Sequence, residues 1–345
     1  MTKIQRAEID IGLDGKVHAF CLDSGIEYRK PQALDDRDVE ELNAPLRLLT
    51  ERYYFNEPDA ISVAGVPTSL AHVFSGPLDK VQLLPHKGSY EIPLRLTKFV
   101  ERAKVTVSRN GDCVSVKNVQ VNEHSCRIDG QHATYSQFAA TNARLDTELY
   151  PYDSSFPPGA TLRDFEVEQG KMLPSSRSDL CNMSGLAFMI TASGPDGADY
   201  FLMVQRRKGM KVEGGMAGFP GIVPVWTDNF FDGYMFDAFI GNQVETKLPS
   251  ELCLQPGEHD IERCHIVNEL RYSRLAPFLD MKTSIPIDVI AERCLDNSKV
   301  LEQHTILYAV PRTKDVDKLL TGLLRAGLNI NGPTRAGMYL VERGK

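Results

Sequence analysis

Tyr200 to Gln205 (Tyr-Phe-Leu-Met-Val-Gln) reads as a strand that runs straight into Arg206-Arg207-Lys208 and then into a glycine-rich stretch, Glu213-Gly214-Gly215-Met216-Ala217-Gly218-Phe219-Pro220-Gly221. This unit constrains the fold more than any other feature. A strand that delivers three cations to a Gly/Pro turn faces something anionic, and glycine lets a ligand approach the backbone. A second strand, Leu186 to Ala192, precedes it across the turn Pro195-Asp196-Gly197.

With 345 residues the chain is long enough for two domains. It is 42% hydrophobic and 25% charged, and its net charge of −7 argues against a broad nucleic-acid face. No apolar run reaches the roughly 18 residues of a membrane span, and Met1 to Glu8 has no secretory h-region. Seven cysteines, an odd number without a Cys-x-x-Cys pair, point away from a disulfide framework and toward a cytoplasmic protein.

Residues 1–145 read as an N-terminal α+β domain. Ile9 to Leu13 and Val17 to Leu22 flank Asp14-Gly15 as a hairpin. Asp35 to Phe55 reads as a helix that Pro45 kinks or divides, and Leu70 to Pro85 fits either state. Ala103 to Ser108 and Cys113 to Val116 flank Asn110-Gly111 as a second hairpin. Val119 to Ile128 continues as strand. Tyr135 to Asn142 reads as a helix start packed by Tyr135 and Phe138, with a pocket between the two halves as its alternative. Residues 146–180, rich in Pro, Ser and Asp, read as a connecting segment. Residues 181–345 read as mixed α/β. Ile222 to Trp226 and Thr305 to Val310 are expected strands, Glu258 to Leu275 and Asp315 to Ala326 expected helices, and Gly337 to Val341 a last strand.

Residues 180–312 resemble the Nudix fold. The resemblance rests on Ser184 to Thr191 as a first strand, Phe201 to Arg207 as the strand ending in Gln-Arg-Arg, the turn Gly214 to Gly221, and a later Asn268-Glu269-Leu270. It implies an α/β chain (α+β overall): the N-terminal domain, then a Nudix-like α/β/α sandwich. It further implies a phosphoanhydride hydrolase in which carboxylates on one helix hold Mg2+ or Mn2+ against a diphosphate. On Asn268-Glu269-Leu270-Arg271-Tyr272-Ser273 only Glu269 matches the family's carboxylate pattern; Tyr272 and Ser273 stand where its Glu-Glu pair belongs.

The same expected helix offers another metal set. Glu258, Glu262, His265 and Glu269 are four, three and four residues apart, which on a helix puts them on one face. The alternative is a solvated face with Ile261, Cys264, Val267 and Leu270 turned inward. Under the metal reading Glu269 and Glu262 are the catalytic residues. Substrate contacts fall to Arg206 and Arg207, whose guanidinium forks suit phosphate, and to Gly214, Gly215, Phe219, Trp226 and Asp228. The aromatic and acidic run around Trp226 and Asp228 suits a base or sugar, or equally a lid or homodimer contact.

Three functional classes remain open: a nucleotide-binding, metal-dependent hydrolase, a non-catalytic ligand sensor on the same fold, and a biosynthetic enzyme using the same pocket. The first two share one expected partner, a nucleotide-like or phosphorylated small molecule; the third is set apart by a non-nucleotide substrate.

Overall fold

The computed structural model describes residues 4–13, 15–25, 27–104, 107, 110–207, 216–222, 224, 226 and 236–343. The first hairpin forms where the alternation placed it. Strands β1 (Gln5–Leu13) and β2 (Gly15–Cys21) pair antiparallel from Gln5↔Cys21 to Leu13↔Gly15. Helix α1 (Asp36–Tyr53) opens with a capping box between Asp35 and Asp38 and continues through Pro45. The ambiguous stretch after it is strand. It gives β3 (Ala60–Val63), β4 (Val66–Gly76) and β5 (Val81–Ser89).

Of the expected Asn110-Gly111 hairpin, Val105, Thr106, Ser108 and Arg109 lie outside the described residues. Ala103 instead closes helix α2 (Leu94–Ala103), whose Leu96 and Phe99 pack with Leu145, Leu149, Leu162 and Leu180. A hairpin joins β6 (Asp112–Val121) and β7 (Cys126–Thr134), dividing the strand expected over Val119 to Ile128. Helix α3 (Tyr135–Ala140) follows, capped by Thr134 and Gln137. The connecting segment holds helix α4 (Leu162–Glu166) and the short strands β8 (Val167–Glu168) and β9 (Lys171–Met172).

Beyond it come β10 (Leu186–Ser193), β11 (Asp199–Arg206), β12 (Ala217–Gly218), β13 (Gly221–Ile222) and helix α5 (Phe236–Leu252). The helix expected over Glu258 to Leu275 is instead two antiparallel strands, β14 (His259–Glu269) and β15 (Arg274–Thr283), in register from His259↔Thr283 to Glu269↔Arg274. Cys264 and Ile266 enter one core and Val267 the other. A short apolar run covered on both faces mimics helical spacing, so periodicity alone does not separate the two states.

Helices α6 (Ile287–Cys294) and α7 (Ser298–Leu301), strand β16 (His304–Pro311), and helices α8 (Val316–Arg325) and α9 (Gly332–Arg343) complete the chain. Gly337 to Val341, expected as strand, lies inside α9. Asn331 starts that helix, its Oδ1 accepting the Thr334 N–H at 2.9 Å.

Among the described residues one mixed sheet runs β1-β2-β16-β11-β10-β15-β14-β4-β3, with β12 on β11 and β13 on β10. Only β10 and β15 are parallel neighbours along that path. Its strands come from both sides of the connecting segment. One face is covered by α5, α6 and the small sheet β5-β7-β6; the other by α8 and α9. Covering both faces explains the uninterrupted apolar runs of β10 and β11. Burying Phe188, Phe201 and Phe278, each no more than 2% exposed, contributes about 1.5–3 kcal/mol apiece.

Candidate ligand-binding cleft

The site is built outward from the turn between β14 and β15. Its carbonyls are gripped from three directions. Tyr54 donates its hydroxyl to the Leu270 carbonyl at 3.0 Å, and Asn142 Nδ2 donates to those of Tyr272 (2.8 Å) and Ser273 (3.1 Å). Arg163, fully buried, donates to Leu270 (2.8 Å) and Arg271 (2.7 Å), to the Tyr54 hydroxyl (2.9 Å), and twice to Asp146. Thr161 and Asp164 form the capping box that starts α4 one residue before Arg163.

On the same helix Glu166 is 1% exposed, and burial pushes its carboxyl up to about 7. One oxygen accepts the Asp179 N–H at 3.2 Å; the other has no hydrogen-bond partner among the described residues.

The turn so held presents Glu269, Tyr272 and Arg274 to a cleft of about 420 Å3. Glu269 accepts from Arg274 Nε at 2.6 Å. The Arg274 guanidinium lies 5.5 Å from the Phe138 ring centre and 5.1 Å from that of Tyr272. With Tyr135 these groups form an aromatic wall. The end of α5 also lines the cleft, through Lys247, Ser250 and Glu251, and so do Arg206 and Gln303. Glu251 is itself held by His304 Nε2 at 2.7 Å, both groups buried. The start of α9 contributes Asn331 and Thr334, and Phe219, Ala276 and Phe278 belong to the apolar part of the lining.

The described part of the glycine turn works through close packing. The Phe219 N–H donates to Thr334 Oγ1 at 2.8 Å; the Ala217 N–H donates to the Asn329 carbonyl at 2.9 Å, and the Ala217 carbonyl accepts the Asn331 N–H at 3.2 Å. A Cβ on Gly218 would lie 2.5 Å from Asn331 Nδ2, and one on Gly221 2.9 Å from the Leu186 carbonyl oxygen. Glycine is needed there so that backbone can meet α9 and β10.

Of the expected site residues, Arg206, Phe219 and Glu269 meet in this cleft, and Tyr135 and Phe138 join them. Arg207 does not. Adjacent strand residues point to opposite faces, and Arg207 Nε donates to the Leu301 carbonyl at 2.8 Å while its guanidinium stands 3.6 Å from Asp23. Trp226 is buried in the core, edge-on to His132 at 5.9 Å between ring centres, and does not line the cleft. Gly214, Gly215 and Asp228 lie outside the described residues.

The metal face dissolves with its helix. Glu258 is bonded to Arg293 (2.7 Å) and to the Gln255 N–H (2.8 Å). Glu262 is exposed at the β14 irregularity between Ile261 and Arg263. His265 Nδ1 meets the Ser75 hydroxyl at 2.7 Å, and burial lowers its imidazole to about 4. Glu269 alone reaches the cleft. These four residues therefore do not fit Mg2+ or Mn2+, and among the described residues no group of three or more His, Cys, Asp or Glu side chains is placed to share an ion.

Sequence reasoning missed Lys247, Glu251, Tyr272, Arg274, Asn331 and Thr334. One signal was available for the last two: Asn331-Gly332-Pro333 is a helix-start pattern.

No family model matches the chain, and no curated protein matches it. Solved structures do. A Nudix hydrolase from M. smegmatis, RenU, matches over 47% of this chain and 86% of its own, with 11% identity and a TM-score of 0.28. A Nudix hydrolase from Alicyclobacillus acidocaldarius matches over 46% and 90%, with 9% identity and a TM-score of 0.30. NrtR from Shewanella oneidensis matches over 47% and 78%, with 11% identity and a TM-score of 0.27. The chain thus has a partial Nudix-like resemblance over somewhat less than half its length. No helix among the described residues is long and apolar enough to cross a membrane.

Proposed function

We propose that the cleft binds a small phosphorylated, ring-bearing ligand of nucleotide type. One observation carries this reading. Arg206 and Lys247 line the cleft without an ion-pair partner among the described residues, whereas Arg163, Arg207 and Arg274 are each engaged by protein groups. Two cations in a concavity suit phosphate oxygens. The wall of Tyr135, Phe138 and Tyr272 suits the face of a ring, and Asn331, Thr334 and Gln303 suit its polar edge.

The test is thermal stabilisation of the full chain by nucleoside 5′-diphosphates, with their parent nucleosides as controls. A melting temperature that climbs with diphosphate concentration, and not with nucleoside, supports the reading. Equal melting temperatures across the panel overturn it. Glu269 and Glu251 are already held by Arg274 and His304, so binding is expected with or without Mg2+ or Mn2+.

Turnover of a bound phosphoanhydride is a second reading, favoured by Glu251. Glu251 lines the same cleft as the two cations, and a carboxylate at such a site can take a proton from attacking water. Phosphate release from the same diphosphates, lost in Glu251→Gln, would establish it. Assays with Mg2+, Mn2+ and chelator read its metal dependence. No release under any of them leaves a ligand sensor.

A further inference from the structure

Two imidazoles outside the cleft converge on one hydroxyl. His72 Nε2 lies 2.8 Å from Ser75 Oγ, and His265 Nδ1 lies 2.7 Å from the same oxygen. Ser75 on β4 stands directly opposite His265 on β14. Positions 72 and 75 of a regular strand would point to opposite faces. A bulge removes that obstacle. Ile266 pairs with Phe74 and Val267 with His72, so Val73 is an extra residue on β4. It turns His72 to the face that Ser75 shares with His265. Strand β3 pairs with β4 only as far as Ala71, so His72 and Ser75 lie past its end, each partly exposed.

The direction of the two hydrogen bonds follows from the far side of His265. That residue is 1% exposed, and its Nε2 is buried with no hydrogen-bond partner among the described residues. A buried N–H without an acceptor is rarer than a buried acceptor without a donor. His265 therefore carries its proton on Nδ1 and donates it to Ser75 Oγ. The Ser75 hydroxyl in turn donates to His72 Nε2, which leaves the His72 proton on Nδ1. Burial lowers both imidazoles below the ordinary histidine range, so His72 keeps its lone pair at neutral pH. Asp59, whose carbonyl accepts the His72 N–H at 2.8 Å, acts on that ring in the opposite sense. Its carboxylate favours the imidazolium that forms when His72 takes a proton.

We infer that Ser75 is a nucleophilic serine, with His72 as its general base, that is acylated by small carboxylic esters. Ser75 Oγ attacks the ester carbonyl carbon as its proton passes to His72 Nε2. A new C–O bond forms to Ser75, and the ester's own C–O bond breaks. The departing alkoxide takes the proton from His72 and leaves as an alcohol. In sum, one serine and one ester give one acyl-serine and one alcohol, with no change of oxidation state. His265 is a positioning residue: its Nδ1–H holds Oγ in place and stabilises the charge that builds there. The ester is small because Ser75 and His72 are only partly exposed. Neither residue lines the cleft, so this chemistry does not rest on the ligand-binding reading.

The test treats the full chain with p-nitrophenyl acetate, quenches in acid and maps the acetyl group by tandem mass spectrometry. An alkyl fluorophosphonate, whose serine adduct persists, is run in parallel. Both probes are expected on Ser75, and Ser75→Ala removes the adduct. His72→Gln keeps a polar side chain of similar reach but supplies no base, and should slow labelling about a hundredfold. His265→Leu should slow it about tenfold, the worth of one hydrogen bond. His265→Asn, whose Nδ2 stands where the imidazole Nδ1 did, should restore most of that loss. Thermal melts of each variant show that folded chains are compared. No adduct on Ser75 with either probe overturns the proposal. So does His72→Gln labelling as fast as the parent, because a hydroxyl in a purely structural chain needs no base. His265→Asn as slow as His265→Leu overturns the direction of the hydrogen bonds on which the assignment of the base depends.

Discussion

The polar knot under the β14–β15 turn and the cleft above it use the same residue types to opposite ends. In the knot, Arg163 is fully buried, and its donors go to two backbone carbonyls, a tyrosine hydroxyl and a carboxylate. In the cleft, Arg206 and Lys247 have no anionic partner among the described residues. A buried charge is tolerated only when fully satisfied, so the knot reads as architecture. Cations held in a concavity without a partner read as recognition. The two regions are linked, because the turn that the knot pins supplies Glu269, Tyr272 and Arg274.

The largest expected effect tests the knot. Arg163→Met leaves the Leu270 and Arg271 carbonyls and the Tyr54 hydroxyl short of a donor, and should cost about 3–5 kcal/mol in urea unfolding. Arg206→Met should stay within about 0.5 kcal/mol of the parent. Equal losses would erase the distinction between the regions.

Glu166 comes next. Its carboxyl is raised to about 7 in the native state against 4.5 as a free side chain, chiefly by burial. Between those values the native state holds more protons than the unfolded state, so this group's contribution to stability falls as pH rises and is lowest above pH 7. Glu166→Gln should therefore be more stable than the parent by about 2–3 kcal/mol at pH 8 and nearly equal to it at pH 4.5. His265 acts in the other sense. Lowered to about 4 from 6.5, it takes up its proton later than the unfolded chain does, so its contribution falls as pH falls through that window. Removing Glu166 should shift the pH of maximum stability upward, read by urea midpoints across pH. An unmoved maximum would deny Glu166 its buried, protonated state.

The Arg206→Ala/Lys247→Ala double variant tests the cleft. Affinity for nucleoside diphosphate should fall about ten- to a hundredfold, with the urea midpoint nearly unchanged. An unchanged affinity would move the phosphate elsewhere. The smallest effect belongs to Trp226→Phe. Buried against His132 and away from the cleft, it should cost about 1 kcal/mol of stability and leave affinity as it was. A marked affinity loss in calorimetry would return Trp226 to the site.

Local chemistry made much of the chain legible. The hairpin around Gly15, the Asp35-capped helix, β10, β11, β16 and α8 follow from alternation, caps and turn residues acting within a few positions. Arg206 and Phe219, expected together because strand end and glycine turn are neighbours in sequence, line one cleft. Where spacing misled, tertiary burial had replaced periodicity. Residues 264–267 are apolar, apart from His265, because two layers cover them, not because a helix turns there.

The sequence by itself determined a mixed α/β chain with a strand that carries cations to a glycine turn. That turn proved to need glycine at 218 and 221 for backbone packing against α9 and β10. Only the tertiary structure decided which cations are spent inside the protein and which line the cleft without an ion-pair partner among the described residues. Arg206 and Arg207 are adjacent and chemically identical, yet one lines the cleft and the other is tied to Leu301 and Asp23. The physical reason is that a side chain's function depends on what partners reach it, and those partners, from α3, α5, α9 and the β14–β15 turn, are far away in sequence.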